Sequence, residues 1–577
     1  MLNQMVEVFK NEYDKLGDDL ILDSYIPSDG TYVIVEPKKD KFEIVDTIDI
    51  RIDKKTNTID RTSSKYFGFI LFADYYSQLI SMNKSILPGK GKIIQGNNYL
   101  SFIIKKESLS NNKLSNEIID EFYDALENTE TKYKKKKKTL ELYKKVEKKV
   151  GKVNKERLNS IRFWIKKIIF EEFNNYKGNE YLKIFFHYPR DDYIKESERY
   201  YVPKIYNQNK YNVKIGNEIY GLHNNNMGMN TKKPYLENKT RKIEVPYLIN
   251  QEDVLYQKKL FDFLKNNVLA GRHNIYIGDK IRSIKRGEFL EDSFDGMFVR
   301  LKKGKEVEII DFDIVTHYNP KLTKIFEFNN ILGVDFNSLT TEYGKIKTLK
   351  NLNHKMNEIL FNKYLNQNFF TEPGDISLND SVLKSNLLMC RTCLFNWFYK
   401  GNKQNVWELV NKSSRSLIKG SIINGYGKKA SDQFNFWQSL KEYFKGGNKM
   451  GDIILDSKDT LRKKISEKET GFIENDSEYF FAVGQLVNYF ISKSKGNKKP
   501  LSLANPFINA KNDAMIKEKL KSLYKKYNYD IDNYNYRFKG LYAMVASYQI
   551  EGKVNEDMII AGYLHSNLLY EKVKSDK

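Results

Sequence analysis

Between His223 and Tyr247 the chain reads HNNNMGMNTKKPYLENKTRKIEVPY, which gathers side chains suited to reading nucleic acid. Asn224, Asn225 and Asn226 lead into Gly228 and Asn230. Glycine and asparagine tolerate positive φ, so the segment is expected to be a loop. Lys232 and Lys233 precede Pro234, which biases Lys233 to an extended backbone, and Arg241 and Lys242 follow. Asparagine can pair with two edge atoms of adenine, and lysine with phosphate or guanine. The loop is therefore either a groove reader or a solvated surface loop, and spacing alone leaves both open.

Two other constellations have catalytic or metal-binding residue types. Asp311 and Asp313 lie two apart on an expected strand and would share one face. Paired carboxylates can bind a metal, as nucleases require, but only His317 stands near to support them, and the alternative is a charge pair at a strand end. Cys390 and Cys393 are the only cysteines, so there is no disulfide framework. Their C-x-x-C spacing could supply half of a zinc site. The surrounding SNLLMCRTCLFNWF reads instead as a helix with small buried thiols, and the six histidines fall at no ligand spacing. No metal and no cofactor are expected. The sequence contains no G-x-x-x-x-G-K-[ST], H-E-x-x-H or G-x-S-x-G, which argues for binding rather than catalysis.

These residues need a scaffold, and 577 residues are too many for one core. Hydrophobic residues make up 40% and aromatics 14%, as in a folded protein. No apolar run reaches the ~18 residues of a membrane span. The N-terminal stretch is charged, without a signal-peptide core, so a cytoplasmic location is expected. The net charge of +23 calls for a polyanion partner, or reflects the Lys, Asn, Ile and Tyr bias of an AT-rich coding sequence.

The expected fold class is α+β, with mixed α/β N-terminal and central regions and an all-α C-terminal bundle. Strands are expected at Tyr32–Val35, Phe42–Ile52, Tyr99–Ile104, Tyr181–Phe186 and Tyr200–Tyr206, where β-branched and aromatic residues concentrate. Met297–Leu301 and Val307–Val315 flank a glycine turn and read as a hairpin. Ser64–Met82 is apolar at helical spacing. Lys132–Lys149, with the run Lys134–Lys138, reads as one amphipathic helix whose lysine face is either solvated or laid along phosphates. From about Ser377 onward the pattern is helical. Three domains follow, at 1–175, 176–375 and 376–577.

The chain resembles the large subunit of the type I-B CRISPR Cascade complex, the Csh family. The resemblance is carried by the His223–Tyr247 segment and by further stretches in order. These are Asp23–Gly30 (DSYIPSDG), Asp74–Lys106 (DYYSQLISMNKSILPGKGKIIQGNNYLSFIIKK), Tyr479–Tyr489 (YFFAVGQLVNY), Asn505–Asn512 (NPFINAKN) and Ile560–Tyr570 (IAGYLHSNLLY). It implies a non-catalytic subunit of an RNA-guided DNA-binding complex, in which base pairing reads the target and the protein reads a short flanking motif, the PAM. The implied partners are the guide RNA (crRNA) and target double-stranded DNA. Other Cascade subunits (handle-capping, backbone and small) and the helicase-nuclease that cuts complete the set, with no membrane. Many members of the family carry a four-cysteine zinc knuckle; here Tyr206–Gly216 (YNQNKYNVKIG) has asparagine and lysine, so a metal-free turn is expected. The rivals are a metal-dependent defence nuclease using Asp311 and Asp313, and a general RNA-binding scaffold.

On this reading two clusters are expected to bind nucleic acid. One is Asn83, Lys84, Asn97, Asn98 and Lys105, although Asn97-Asn98 before a strand is also an ordinary turn signal. The other is Asn224, Asn225, Asn226, Asn230, Lys232, Lys233 and Arg241, with Pro234 and Tyr235 shaping the loop. The family also suggests an internal start. Lys445–Met450 (KGGNKM) can be encoded as AAA GGA GGT AAT AAA ATG, a ribosome-binding purine run before a start codon. A small subunit would then span Met450–Lys577. Gly446-Gly447 is equally suited to an interhelical linker.

Overall fold

Tyr32, Val33, Ile34 and Val35 are all fully buried, which requires a strand covered on both faces. They lie on β1 (Gly30–Pro37). The computed structural model describes the chain except residues 1, 40, 54–57, 88–92, 174–175, 225, 231–239, 241, 243–244, 246, 305, 334–340, 448, 468–470, 497–498, 533 and 572–577. The protein is α+β, 53% helical and 16% strand, with small sheets in its N-terminal and central regions and a helical C-terminal region. It divides into two compact units, Met1–Arg286 with Asp295–Val315 and Gly287–Phe294 with Thr316–Lys577.

In the first unit β1 runs antiparallel to β2 (Phe42–Ile50). β3 (Ser101–Lys105) pairs antiparallel with β4 (Tyr181–Phe186), and β4 runs parallel to β1, giving the order β2-β1-β4-β3. Because β4 is an inner strand of this sheet, the border expected at residue 175 would cut through one core. The helices of this unit are α1 (Leu2–Leu16), α2 (Asp19–Leu22), α3 (Phe67–Ser77), α4 (Lys106–Ser110) and α5 (Asn116–Glu127). They continue with α6 (Thr129–Tyr133), α7 (Lys137–Val150), α8 (Lys155–Glu171), α9 (Arg190–Tyr201) and α10 (Gln251–Leu269). α3 carries Asp74, fully buried, into an ion pair with Lys183 of β4 at 2.7 Å, and Asp74 also accepts from the Tyr25 hydroxyl at 2.7 Å.

A hairpin of β5 (Val213–Ile215) and β6 (Glu218–Tyr220) turns at Gly216, whose φ of +61° suits glycine. The central sheet contains β7 (Arg272–Ile277), β8 (Ile281–Lys285), β9 (Phe294–Lys303) and β10 (Val307–Tyr318) in the order β10-β9-β7-β8. The hairpin expected from 297 to 315 is β9 and β10.

Two expectations are corrected. Lys132–Lys149 is not one helix: α6 ends at Tyr133 and α7 begins at Lys137. Nor is Tyr200–Tyr206 a strand. Tyr200 and Tyr201 end α9, and Val202–Lys204 is a 3-10 turn with Pro203 in its first positions. Both tyrosines are buried, and their hydroxyls donate to the carbonyls of Lys84 (2.6 Å) and Gln78 (2.9 Å). Tertiary burial here overrides the strand preference of aromatic residues.

In the second unit β11 (Lys321–Phe328) and β12 (Gly344–Thr348) pair antiparallel, and α11 (Leu349–Ile359) follows. These elements belong with the C-terminal helices, so residues 316–375 do not group with the central region. The helices are α12 (Ser381–Lys400), α13 (Val406–Ile423), α14 (Gly427–Lys445), α15 (Met450–Ser466) and α16 (Asp476–Ser492). Then come α17 (Asn505–Ile508), α18 (Asp513–Tyr527), α19 (Tyr536–Ser547) and α20 (Glu556–Leu564). Asn475, Asn512, Asn535 and Asn555 each cap a helix by accepting from the amide three residues on, worth about 1 kcal/mol apiece. Cys390 and Cys393 sit buried in α12, and burial pushes their thiols up to about 12 and about 11.

α16 is the centre of the C-terminal bundle, packed by α15, α18, α19 and α20. Its Gly484 meets the main chain of α20, and Gly562 of α20 meets the main chain of Phe481. Gln485, fully buried, donates to the Gly562 carbonyl at 2.6 Å and accepts from the Leu568 amide at 2.8 Å. Gly446 and Gly447, at φ +70° and +64°, end α14, and Met450 opens α15 with its side chain buried. No helix among the described residues is long and apolar enough to cross a membrane.

Candidate nucleic-acid interface

The break between α6 and α7 faces the turn that follows α9, and between them lies a cavity of 580 Å³. Its walls carry Lys84, Lys132, Lys136, Lys137, Lys138, Lys204 and Lys210, and among the described residues no aspartate or glutamate. Lys84 comes from the 3-10 turn Met82–Lys84, and Lys132 from α6. Lys136, Lys137 and Lys138 come from the start of α7, and Lys204 from the turn Val202–Lys204.

Main-chain oxygens hold several of these lysines in place. The Lys84 ammonium donates to the carbonyls of Lys204 (2.8 Å) and Tyr206 (3.1 Å). Lys204 reciprocates, donating to the carbonyls of Lys84 and Ser85 at 2.8 Å each, and lies 4.4 Å from the centre of the Tyr200 ring. Lys132 donates to the Ile86 carbonyl, and Lys138 to those of Lys210 and Asn212 at 2.7 Å each. Among the described residues, the ammonium groups of Lys136 and Lys137 have no partner, and both side chains are exposed.

The electrostatics are unfavourable while the cleft is empty. Burial holds the Lys84 and Lys132 ammonium groups down to about 8. Lys204 is held well below its usual value by burial and then by Lys132, Lys84 and Lys136. A helix start carries partial positive charge and ordinarily attracts acids. α7 has no acid in its first turn and has lysines there instead. An anion in the cleft would relieve both repulsions, and a chain of phosphates supplies such charge at regular spacing.

The expected site residues are only partly brought together. Asn83 and Lys84 line this cleft. Lys105 ends β3 and pairs with Glu107 at 3.6 Å, away from the cleft lining. Asn97 and Asn98 are buried and bind the chain itself. The Asn97 amide donates to the carbonyls of Tyr76 and Gln78 at 2.8 Å each, and Asn98 accepts from the Leu100 amide at 2.9 Å. They fix the turn before β3 and have no polar edge left for a base. Asn224 is also fully buried, donating to the Ile205 carbonyl at 2.9 Å. Asn226 accepts from the Asn230 amide at 3.2 Å, and the Asn230 side chain donates to Glu306 at 2.7 Å. Asn225, Lys232, Lys233, Pro234, Tyr235 and Arg241 lie outside the described residues.

Asp311 and Asp313 both stand on β10, with Asp313 accepting from the Ile314 amide at 2.9 Å. Among the described residues no three of His, Cys, Asp and Glu are grouped to hold a metal ion. Sequence reasoning flagged the lysine run but missed Lys204, because Tyr200–Tyr206 read as a strand. The signal was Pro203, which is unsuited to an inner strand and common at a helical turn. The chain matches no protein-family model, no curated protein and no solved structure.

Proposed function

We propose that the chain is a nucleic-acid-binding, non-catalytic large subunit of an RNA-guided surveillance complex of the type I-B Cascade kind, working in the cytoplasm in antiviral defence. The observation that carries the nucleic-acid part is the cleft whose described lining holds seven lysines and no carboxylate. The assignment to Cascade rests on the sequence stretches that resemble the Csh family. On this reading the cleft grips the phosphate backbone of guide RNA. The chain also reads the PAM, steadies the opened target DNA and recruits the helicase-nuclease. Asn83, Lys84, Lys136 and Lys137 are its contacts in the cleft; Asn97, Asn98 and Asn224 serve the fold.

The test is to purify the tagged chain from its native host, sequence the RNA that accompanies it, and repeat with a Lys136→Ala, Lys137→Ala variant. Guide RNAs sharing one 5′ handle are expected, with loss in the variant. With a synthetic guide, removing two phosphate contacts should flatten the log affinity against log salt slope by about 1.4. Random cellular RNA would replace this reading with a general scaffold. Magnesium-dependent cleavage of DNA by the purified chain, abolished by Asp311→Ala and Asp313→Ala, would replace it with a nuclease.

A further inference from the structure

Phe163 is 75% exposed, although the rest of α8 is ordered as an amphipathic helix should be. Leu158, Ile161, Ile165 and Ile169 are fully buried on its inner face. Trp164 packs edge-on against Phe42 and Phe186, with ring centres 6.0 and 5.5 Å away. The helix is therefore pinned, and Phe163 is held outward. It stands on the wall of a cavity of 970 Å³ between the outer face of α8 and the turn joining β1 to β2.

The charged residues of this groove fall into two sets. Lys38 is shared between Glu36 (3.8 Å) and Glu43 (3.7 Å). Arg157 is taken by Asp192 at 2.8 Å and lies over the Tyr188 ring at 4.3 Å. Lys39, Lys41 and Lys167 are exposed, and among the described residues their ammonium groups have no partner. Lys167 follows Phe163 by four residues and so lies on the same side of α8. Glu156 is the one described acid in the lining. An exposed aromatic face flanked by unpaired cations suits a strand whose bases are not paired, since every base has a face to stack and every link a phosphate. Among the described residues the groove shares no lining residue with the lysine cleft.

We propose that this groove holds an unpaired DNA strand, with Phe163 stacked on a base and Lys39, Lys41 and Lys167 at the backbone phosphates. The choice of DNA rests on the function proposed above, since opening a target duplex frees a strand that must be held whatever its sequence. Stacking on Phe163 meets that need because it is tolerant of sequence.

The experiment measures binding of a fluorescent oligothymidylate, and in parallel an oligouridylate, to the full chain by anisotropy. Phe163→Ala removes only a solvent-exposed ring, and Phe163→Tyr keeps it. Loss of one stacked base should weaken oligothymidylate binding by about 5-fold or more in Phe163→Ala, with Phe163→Tyr close to wild type. Replacing Lys39, Lys41 and Lys167 with alanine should flatten the salt dependence. If Phe163→Ala leaves oligothymidylate binding unchanged while Lys136→Ala, Lys137→Ala still weakens guide RNA, the groove assignment falls and the proposed function stands. If Phe163→Ala weakens only oligouridylate, the strand is RNA and the proposal is overturned. If it changes only self-association in sedimentation, the face is a protein contact and the proposal is overturned. If the wild-type chain binds neither DNA nor RNA, both readings fail.

Discussion

Adding one methyl group at Gly484 should separate two helices. A Cβ built there would lie 2.6 Å from the Tyr563 amide nitrogen and 2.8 Å from the Gly562 carbonyl carbon, with the Ile559 carbonyl oxygen nearer still. All three are main-chain atoms of α20 and cannot swing aside as a side chain does. Restoring 2.6 Å to an ordinary contact of 3.4 Å moves the Tyr563 nitrogen by about 0.8 Å, and the nearer Ile559 oxygen must move further. Overpacking of this kind costs up to about 3 kcal/mol, and alanine returns about 1 kcal/mol of helix propensity. Gly484→Ala is thus expected to destabilise the second unit by about 2 kcal/mol. Gly540→Ala is the control, because nothing lies within 4 Å of its Cβ, and it should stabilise by up to about 1 kcal/mol. Urea unfolding followed by tryptophan fluorescence reads the result, since Trp397, Trp407 and Trp437 all lie in this unit. A Gly484→Ala midpoint at or above wild type would refute the argument.

The pH dependence of binding in the lysine cleft has a definite sign. Lys84 and Lys132 lose their protons near pH 8 when the cleft is empty, and bound phosphate favours their charged forms. Binding therefore takes up protons, and affinity for guide RNA should fall as pH rises from 7 to 9; calorimetry in buffers of different ionisation enthalpy would count them. Lys183→Met should destabilise the first unit by about 3–5 kcal/mol, because it leaves the fully buried Asp74 without its cation, and thermal unfolding measures this. The native gene with a C-terminal tag should yield a second product beginning at Met450, lost when the Gly446 and Gly447 codons are recoded synonymously. A product whose N-terminus maps elsewhere would remove that start.

The sequence was most readable where a local pattern and the tertiary environment agree. β4 falls at Tyr181–Phe186, as its run of aromatic and aliphatic residues predicts, and the helices from Ser381 onward follow the helical pattern expected from about Ser377. The motifs Tyr479–Tyr489 and Ile560–Tyr570 were visible as separate strings. That they meet through Gly484 and Gly562 depends on helix packing, which no local pattern contains. The asparagines were the poorest guide to a site. Their side chains bind main chain as well as they bind bases, so Asn97, Asn98 and Asn224 are used inside the fold. The cleft was half visible in the lysine run. Its other wall depends on Lys204, which reaches Lys84 across 120 positions of sequence.

Lys84, Lys132, Lys138 and Lys204 are held by carbonyl oxygens, and this bears on how the sequence can drift. Ser85, Ile86, Tyr206 and Asn212 serve those lysines through their backbones, which every residue type possesses. Substitutions there that keep the turn geometry leave the grip intact. A lysine held by a glutamate would tie two positions together, so that a change in either demands a change in the other. Here the lysines alone carry the constraint, and the loops around them are free to diverge between relatives while the charge stays in place.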